Sequence, residues 1–325
     1  MRPILAAAVL VLASLGTVSA QTERSITRSI PVQAAGQFDL STDVGSIDVR
    51  PGSTDSIDIE VLFRADDTAD LDRLIDDFTL DVDQQGNDVR VDGRMRDGRN
   101  WWGRNWRRQR EVSFRVTVPE AFNVELRTSG GSIAVRQIKG EVDVNTSGGS
   151  LDLSDIGGPV RGRTSGGSIE LRRAGSEARL ETSGGSIRIE EVTGDVNART
   201  SGGSIDIDTV SGYVVAHTSG GSVEVNDARG GVDASTSGGR VDARFSSPVT
   251  QASRLSTSGG SVTVTLAPEV GFDVDARAGS GVDARDFGFD NDGRRRREPL
   301  RAQLNGGGPE LELRASGGSI RLRSR

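Results

Sequence analysis

All three tryptophans of this chain, Trp101, Trp102 and Trp106, fall inside the stretch Arg94–Arg110, interleaved with Arg94, Arg96, Arg99, Arg104, Arg107, Arg108 and Arg110. An indole offers a broad apolar face with one N–H donor, and a guanidinium can stack on that face or fork onto an anion. Such a mixture suits stacking on sugars, contact with a lipid headgroup zone, or an anchor at a protein interface. The competing expectation is a hairpin loop whose indoles fold back on their own scaffold. Trp101, Trp102, Trp106, Arg99, Arg104, Arg107 and Arg108 are therefore the candidate interaction surface.

Little else in the chain is equipped for chemistry. There is no cysteine and a single histidine, His217, which speaks against disulfide staples, thiol nucleophiles, zinc clusters and histidine-based triads. No partner for His217 is evident, so it reads as a solvated surface residue. No cofactor and no metal site is expected. The net charge of −7 disfavours a generic polyanion binder, and nucleic acid is not an expected partner.

What must position the candidate surface is a repeat. The string Thr-Ser-Gly-Gly begins at Thr128, Thr146, Thr164, Thr182, Thr200, Thr218 and Thr236, every eighteen residues, and again at Thr257 after twenty-one. The longer interval predicts a loop around Phe245 to Gln251, where Pro248 sits. Within one copy Ile133, Val135, Ile138, Val142 and Val144 form two period-two runs separated by a corner, the pattern of strand, corner, strand. Paired glycines and strict alternation both exclude a helix.

One such coil cannot bury enough to persist alone. Stacking coils in parallel, about 4.8 Å apart, sets each inward side chain on its equivalents above and below and pairs the backbone between coils. Parity along Val142, Val144 and Thr146 turns the threonines inward or into the corner, which argues against an outward ice-binding rank. The paired glycines, and a second set at Gly140, Gly158, Gly194, Gly212 and Gly230, are expected to supply positive φ at the two bends. No helix follows the pairs, so they are not phosphate loops. A calcium β-roll fails too. The position after each Ser-Ile or its equivalent reads Ala134, Asp152, Glu170, Arg188, Asp206, Glu224, Asp242 and Thr263, and a ligand shell cannot alternate with arginine.

The flanks are less regular. Residues 1–20, with Arg2, an apolar run and Val18, Ser19, Ala20, read as a signal peptide, with no transmembrane segment expected after its removal. Residues 21–126 read as an irregular β region carrying the Trp/Arg loop at 94–110 and one helix near 67–78. That helix has Leu71, Leu74, Ile75 and Phe78 on one face and is expected to cap the first coil. The regular repeats occupy 127–284. An arginine- and glycine-rich loop at 285–309, including Arg294 to Arg297, precedes a terminal coil at 310–325 whose alternating Ile320, Arg321, Leu322 and Arg323 suggest a charged edge.

The iterated Thr-Ser-Gly-Gly-Ser-Ile, with the early Val44-Gly-Ser-Ile-Asp-Val and the Val118-Pro entry, resembles the bacterial adhesin-like domains of unknown function built from β-strand repeats, from about Gln37 to the C-terminus. The resemblance implies an all-β, right-handed parallel β-solenoid of about 18 residues per coil, exported, with no catalytic residues to carry over. The reading that follows is a non-enzymatic adhesin-like interaction module of the envelope or exterior, in the periplasm, on the surface or in the medium. Its partner would be a protein or glycan of the envelope or surface. A scaffold that assembles into homo-oligomers through its coil ends is the alternative. A polysaccharide-acting β-helix enzyme comes third, because uniform tight corners leave little groove for converging carboxylates.

Overall fold

The computed structural model describes residues 22–33, 35–96, 110–289 and 299–325. The leader, all seven candidate surface residues and Arg294 to Arg297 lie outside them. The chain divides into two compact units, one up to Asp152 and one from Leu153, with the division inside the strand Leu151–Ser154.

The first unit has two sheets. One runs in the order Thr22–Pro31, Ser56–Ala65, Glu111–Val118, Ser46–Pro51 and Ile133–Arg136; the other runs Phe78–Gln85, Asp88–Met95, Gln37–Thr42, Asn123–Thr128 and Val142–Thr146. Pairing is parallel wherever coil follows coil, as in Val142 on Val124 and Val144 on Leu126. It turns antiparallel among the first three strands of one sheet and between the first two of the other. The helix Thr68–Asp76 links the two arrangements. The Asp67 side chain caps it by accepting from the Asp70 N–H at 2.7 Å, and Leu71 and Leu74 are buried beneath it. Phe78 opens the next strand and sits edge-on to Phe63 at 5.1 Å, so the apolar end is closed by aromatic bulk.

The second unit is the regular solenoid. One sheet stacks Ile169–Ala174, Ile187–Val192, Ile205–Val210, Val223–Ala228, Val241–Phe245, Val262–Leu266, Ile320–Ser324 and Val282–Asp283. The other stacks Val160–Arg163, Ala178–Glu181, Val196–Arg199, Tyr213–His217, Gly231–Thr236, Ser253–Thr257, Glu310–Ala315, Phe272–Ala278 and Leu300–Leu304. Register places like on like: Ile187 lies on Ile205, which lies on Val223, which lies on Val241. Each is fully buried, a contribution of roughly 1.5–3 kcal/mol apiece. The other sheet buries Val196, Val214 and Val232 with Ala198, Ala216 and Ala234, again like on like from coil to coil. Where the extra three residues enter, Phe245 and Phe272 meet edge-on at 5.1 Å, and Val249 of the loop is buried.

Two expectations are corrected. The final strand, Ile320–Ser324, is no edge: it pairs with Val262–Leu266 on one side and Val282–Asp283 on the other. Its spatial place precedes that of residues 272–283, which come earlier in the chain. The paired glycines also do not serve through positive φ. Among described glycines, φ is positive at Gly45, Gly86, Gly231, Gly281, Gly288, Gly306 and Gly307, none of them in a repeat pair. Gly45 and Gly281 occupy the second-glycine place of worn copies, whereas in the regular copies what matters is the missing Cβ. At Gly203 that atom would stand 2.1 Å from the Gly185 carbonyl oxygen of the preceding coil.

Candidate interaction surface

The corner chemistry of the repeat is now explicit. Each threonine is buried, as parity predicts, and its hydroxyl donates to a glycine carbonyl of the coil before: Thr182 to Gly167, Thr200 to Gly185 and Thr218 to Gly203, all at 2.8 Å. The same oxygen accepts the N–H of its own coil's second glycine, as at Gly203 to Thr200, 3.3 Å. The serine after the pair extends the ladder, Ser204 N–H donating to Ser186 Oγ at 3.1 Å and Ser222 N–H to Ser204 Oγ at 3.2 Å. The corners thus use these polar groups on one another, as a bend at coil spacing requires.

The outer faces carry ion pairs between neighbouring rows. Arg136 bridges Asp48 at 3.1 Å and Asp152 at 2.8 Å. Glu181 accepts from Arg179 and Arg163, which together hold its carboxyl below the usual range despite partial desolvation. His217 does have a neighbour: its Nε2 lies 3.4 Å from Asp233 Oδ1 on the next coil. Beside them, burial first and then the charge of Asp233 push the Tyr213 phenol up. A surface hollow in the first unit is lined by Asp48, Arg50, Asp58, Glu60 and Arg115, where Arg50 pairs with Asp48, Arg115 pairs with Glu60, and Asp58 accepts from the Ser29 hydroxyl. Among the described residues no group of three or more His, Cys, Asp or Glu side chains could hold a metal ion, and no helix is long and apolar enough to cross a membrane.

The two ends of the Trp/Arg segment have a defined place. On the outgoing side the Arg96 N–H donates to the Asp77 carbonyl oxygen at the helix C-cap, 2.7 Å. On the returning side Arg110 donates from Nη2 to Oδ1 of Asp70 at 2.8 Å, and the Asp70 side chain is only 1% exposed. One short helix therefore holds both ends. Sequence reading missed Asp70; the signal available was a carboxylate adjacent to Leu71 on the helix face that must be covered, with an arginine opening a later strand.

Stacked parallel coils with a shared apolar interior and self-satisfied corners define a β-solenoid. The family model Toastrack DUF4097 matches residues 37–323, and the chain belongs to that family. Among curated proteins none matches the chain. Solved structures that are similar include one described as a putative cell adhesion protein from Clostridium sporogenes, 12% identical over 94% of this chain and 100% of that one, TM-score 0.22. A putative adhesin from Bacteroides fragilis is 12% identical over 93% and 97%, TM-score 0.34. A putative lipid binding protein from Parabacteroides distasonis is 14% identical over 92% and 96%, TM-score 0.44.

Proposed function

We propose that this chain is an exported, non-enzymatic β-solenoid that serves as an adhesin-like interaction module of the cell envelope or exterior. Its contact surface is formed by Trp101, Trp102 and Trp106 with Arg99, Arg104, Arg107 and Arg108. The observation that carries the reading is the double anchorage of that segment on one helix, through Asp77 to Arg96 and Asp70 to Arg110. A buried carboxylate committed to fixing a segment's return gives the aromatic and cationic side chains between a fixed origin, which lowers the ordering cost of binding. Elsewhere among the described residues the outer faces carry ion pairs such as Arg136 with Asp48 and Asp152, and Arg179 with Glu181.

The test is capture of envelope fractions and a glycan panel by the wild-type chain and by Trp101→Ala, Trp102→Ala, Trp106→Ala combined, with circular dichroism to show that the fold is kept. Binding lost with fold intact supports the assignment; binding unchanged removes it. Separation of cells into periplasm, outer membrane and medium tests export directly.

A further inference from the structure

The order of the coils along the chain is not their order in space. After the coil of residues 253–266 the chain passes over one coil position, forms Phe272–Ala278 and Val282–Asp283 beyond it, and adds Leu300–Leu304 antiparallel on the far side. Only then does it return to fill the vacated position with Glu310–Ala315 and Ile320–Ser324. The last sixteen residues are a wedge, paired on both sides, with Leu311, Leu313, Ile320 and Leu322 fully buried.

Until the wedge is in place, the chain presents a slot with two unpaired parallel edges in each sheet and an apolar floor, a geometry that takes up strands of the right pattern. The pattern it fits is this chain's own C-terminus. We propose that residues 310–325 form an exchangeable coil, and that two copies of this chain join end to end by each filling the other's slot.

Every contact of the wedge is reproduced in such a dimer, including Arg314 to Asp275 at 2.9 Å, Arg254 to Glu312 at 3.3 Å and Arg323 to Asp283 at 2.9 Å. Exchange of an identical element therefore costs little in contact energy. The hinge also has the reach. From Leu304 to Glu310 the extended chain spans up to about 20 Å. With two ends abutting about a two-fold axis, the strand Leu300–Leu304 lies three strand spacings, about 14 Å, from the partner's slot. The hinge sequence is Asn305-Gly-Gly-Gly-Pro, and its closed form depends on left-handed φ at Asn305, Gly306 and Gly307, with the Asn305 amide donating to the carbonyl oxygens of Ala267 and Val270.

The chain has no cysteine, so a disulfide can report the exchange. Thr263 and Arg321 are register partners on adjacent strands, within the Cα separation a disulfide needs. Differently tagged full chains carrying Thr263→Cys and Arg321→Cys are mixed in denaturant, refolded over a range of concentrations and oxidised. The expected result is a mixed disulfide dimer whose share rises with concentration, and which is absent when the second chain instead carries Ser201→Cys, far from the slot. A chain bearing both substitutions must close its internal disulfide, which shows that the pair reacts. Gly306→Val with Gly307→Val opposes the closed hinge and is expected to raise the dimer share measured by light scattering. The proposal is overturned if the double-cysteine chain closes internally while the mixed dimer never exceeds the Ser201→Cys background, or if the valine hinge leaves the protein monomeric at every concentration.

Discussion

The hydroxyl of Thr200 donates to the carbonyl oxygen of Gly185, fifteen residues earlier and one coil below, at 2.8 Å, while accepting the N–H of Gly203 in its own coil. One side chain thus serves a backbone acceptor and a backbone donor at a bend where strand pairing has stopped. Thr200→Val keeps the shape and deletes both bonds, leaving two backbone groups poorly satisfied. The expected cost is about 1–3 kcal/mol in urea unfolding. Thr200→Ser keeps the hydroxyl and gives up only the buried methyl, so its loss should be the smaller, about 1 kcal/mol. If Thr200→Ser were destabilised more than Thr200→Val, the methyl rather than the hydroxyl would be the reason for threonine here.

The two glycines of one corner should differ. A Cβ on Gly203 would lie 2.1 Å from the Gly185 carbonyl oxygen, whereas one on Gly202 would lie 3.3 Å from the Gly184 oxygen and one on Gly130 would meet nothing within 4 Å. Alanine at Gly203 must push two coils apart and is expected to cost upwards of about 3 kcal/mol, at Gly202 about 1 kcal/mol, and at Gly130 little or nothing. Thermal melts of the three variants give the order directly. Equal losses at all three would return the explanation to backbone conformation.

Much of this was legible because the repeat leaves few choices. Period-two runs between glycine corners place Ile187, Ile189, Val196 and Ala198 inward, and parity alone turns Thr182 and Thr200 with them. The role of the glycine pair was not legible, since positive φ and close approach select the same residue and only neighbouring coils distinguish them. Nor was the place of the last coil. Leu311, Leu313, Ile320 and Leu322 match the inward rows of every other coil, so nothing in their types says which neighbours they join, and adjacency along the chain suggests the wrong ones. In the interaction surface, the aromatic and arginine content could be read directly, but its anchorage could not, because the bond from Arg110 to Asp70 joins residues forty positions apart.

That anchorage has an energetic consequence. The Asp70 side chain is 1% exposed and faces the Arg110 guanidinium, so Asp70→Ala strands a partly buried cation. The expected loss is about 3–5 kcal/mol, while the paired change Asp70→Leu with Arg110→Met should recover most of it. Unfolding of both variants decides the matter. Should the double change be as unstable as the single one, the pair would not be acting as a unit.

Acid should loosen the inserted coil before the rest. Two guanidiniums, first Arg285 and then Arg323 of the final strand, hold the Asp283 carboxyl well below the usual carboxylate range against some desolvation. At Asp275 burial pushes the carboxyl up, but Arg314 of the same inserted coil, with Arg277 and Arg301, outweighs it and leaves the group lowered. A carboxylate whose folded pKa is depressed contributes stability that is fully present above its unfolded value, near about 3.9, and is lost as pH falls through the folded value. The wedge should therefore be firm at neutral pH and increasingly open below about pH 4, which limited pepsin digestion would report as early cleavage on the C-terminal side of Leu304. Asp283→Asn removes the titrating group and should flatten the dependence of that cleavage on pH while weakening the wedge at neutrality. If the variant showed the same acid dependence as the parent, the charges across the slot would not be what fastens the last coil between its neighbours.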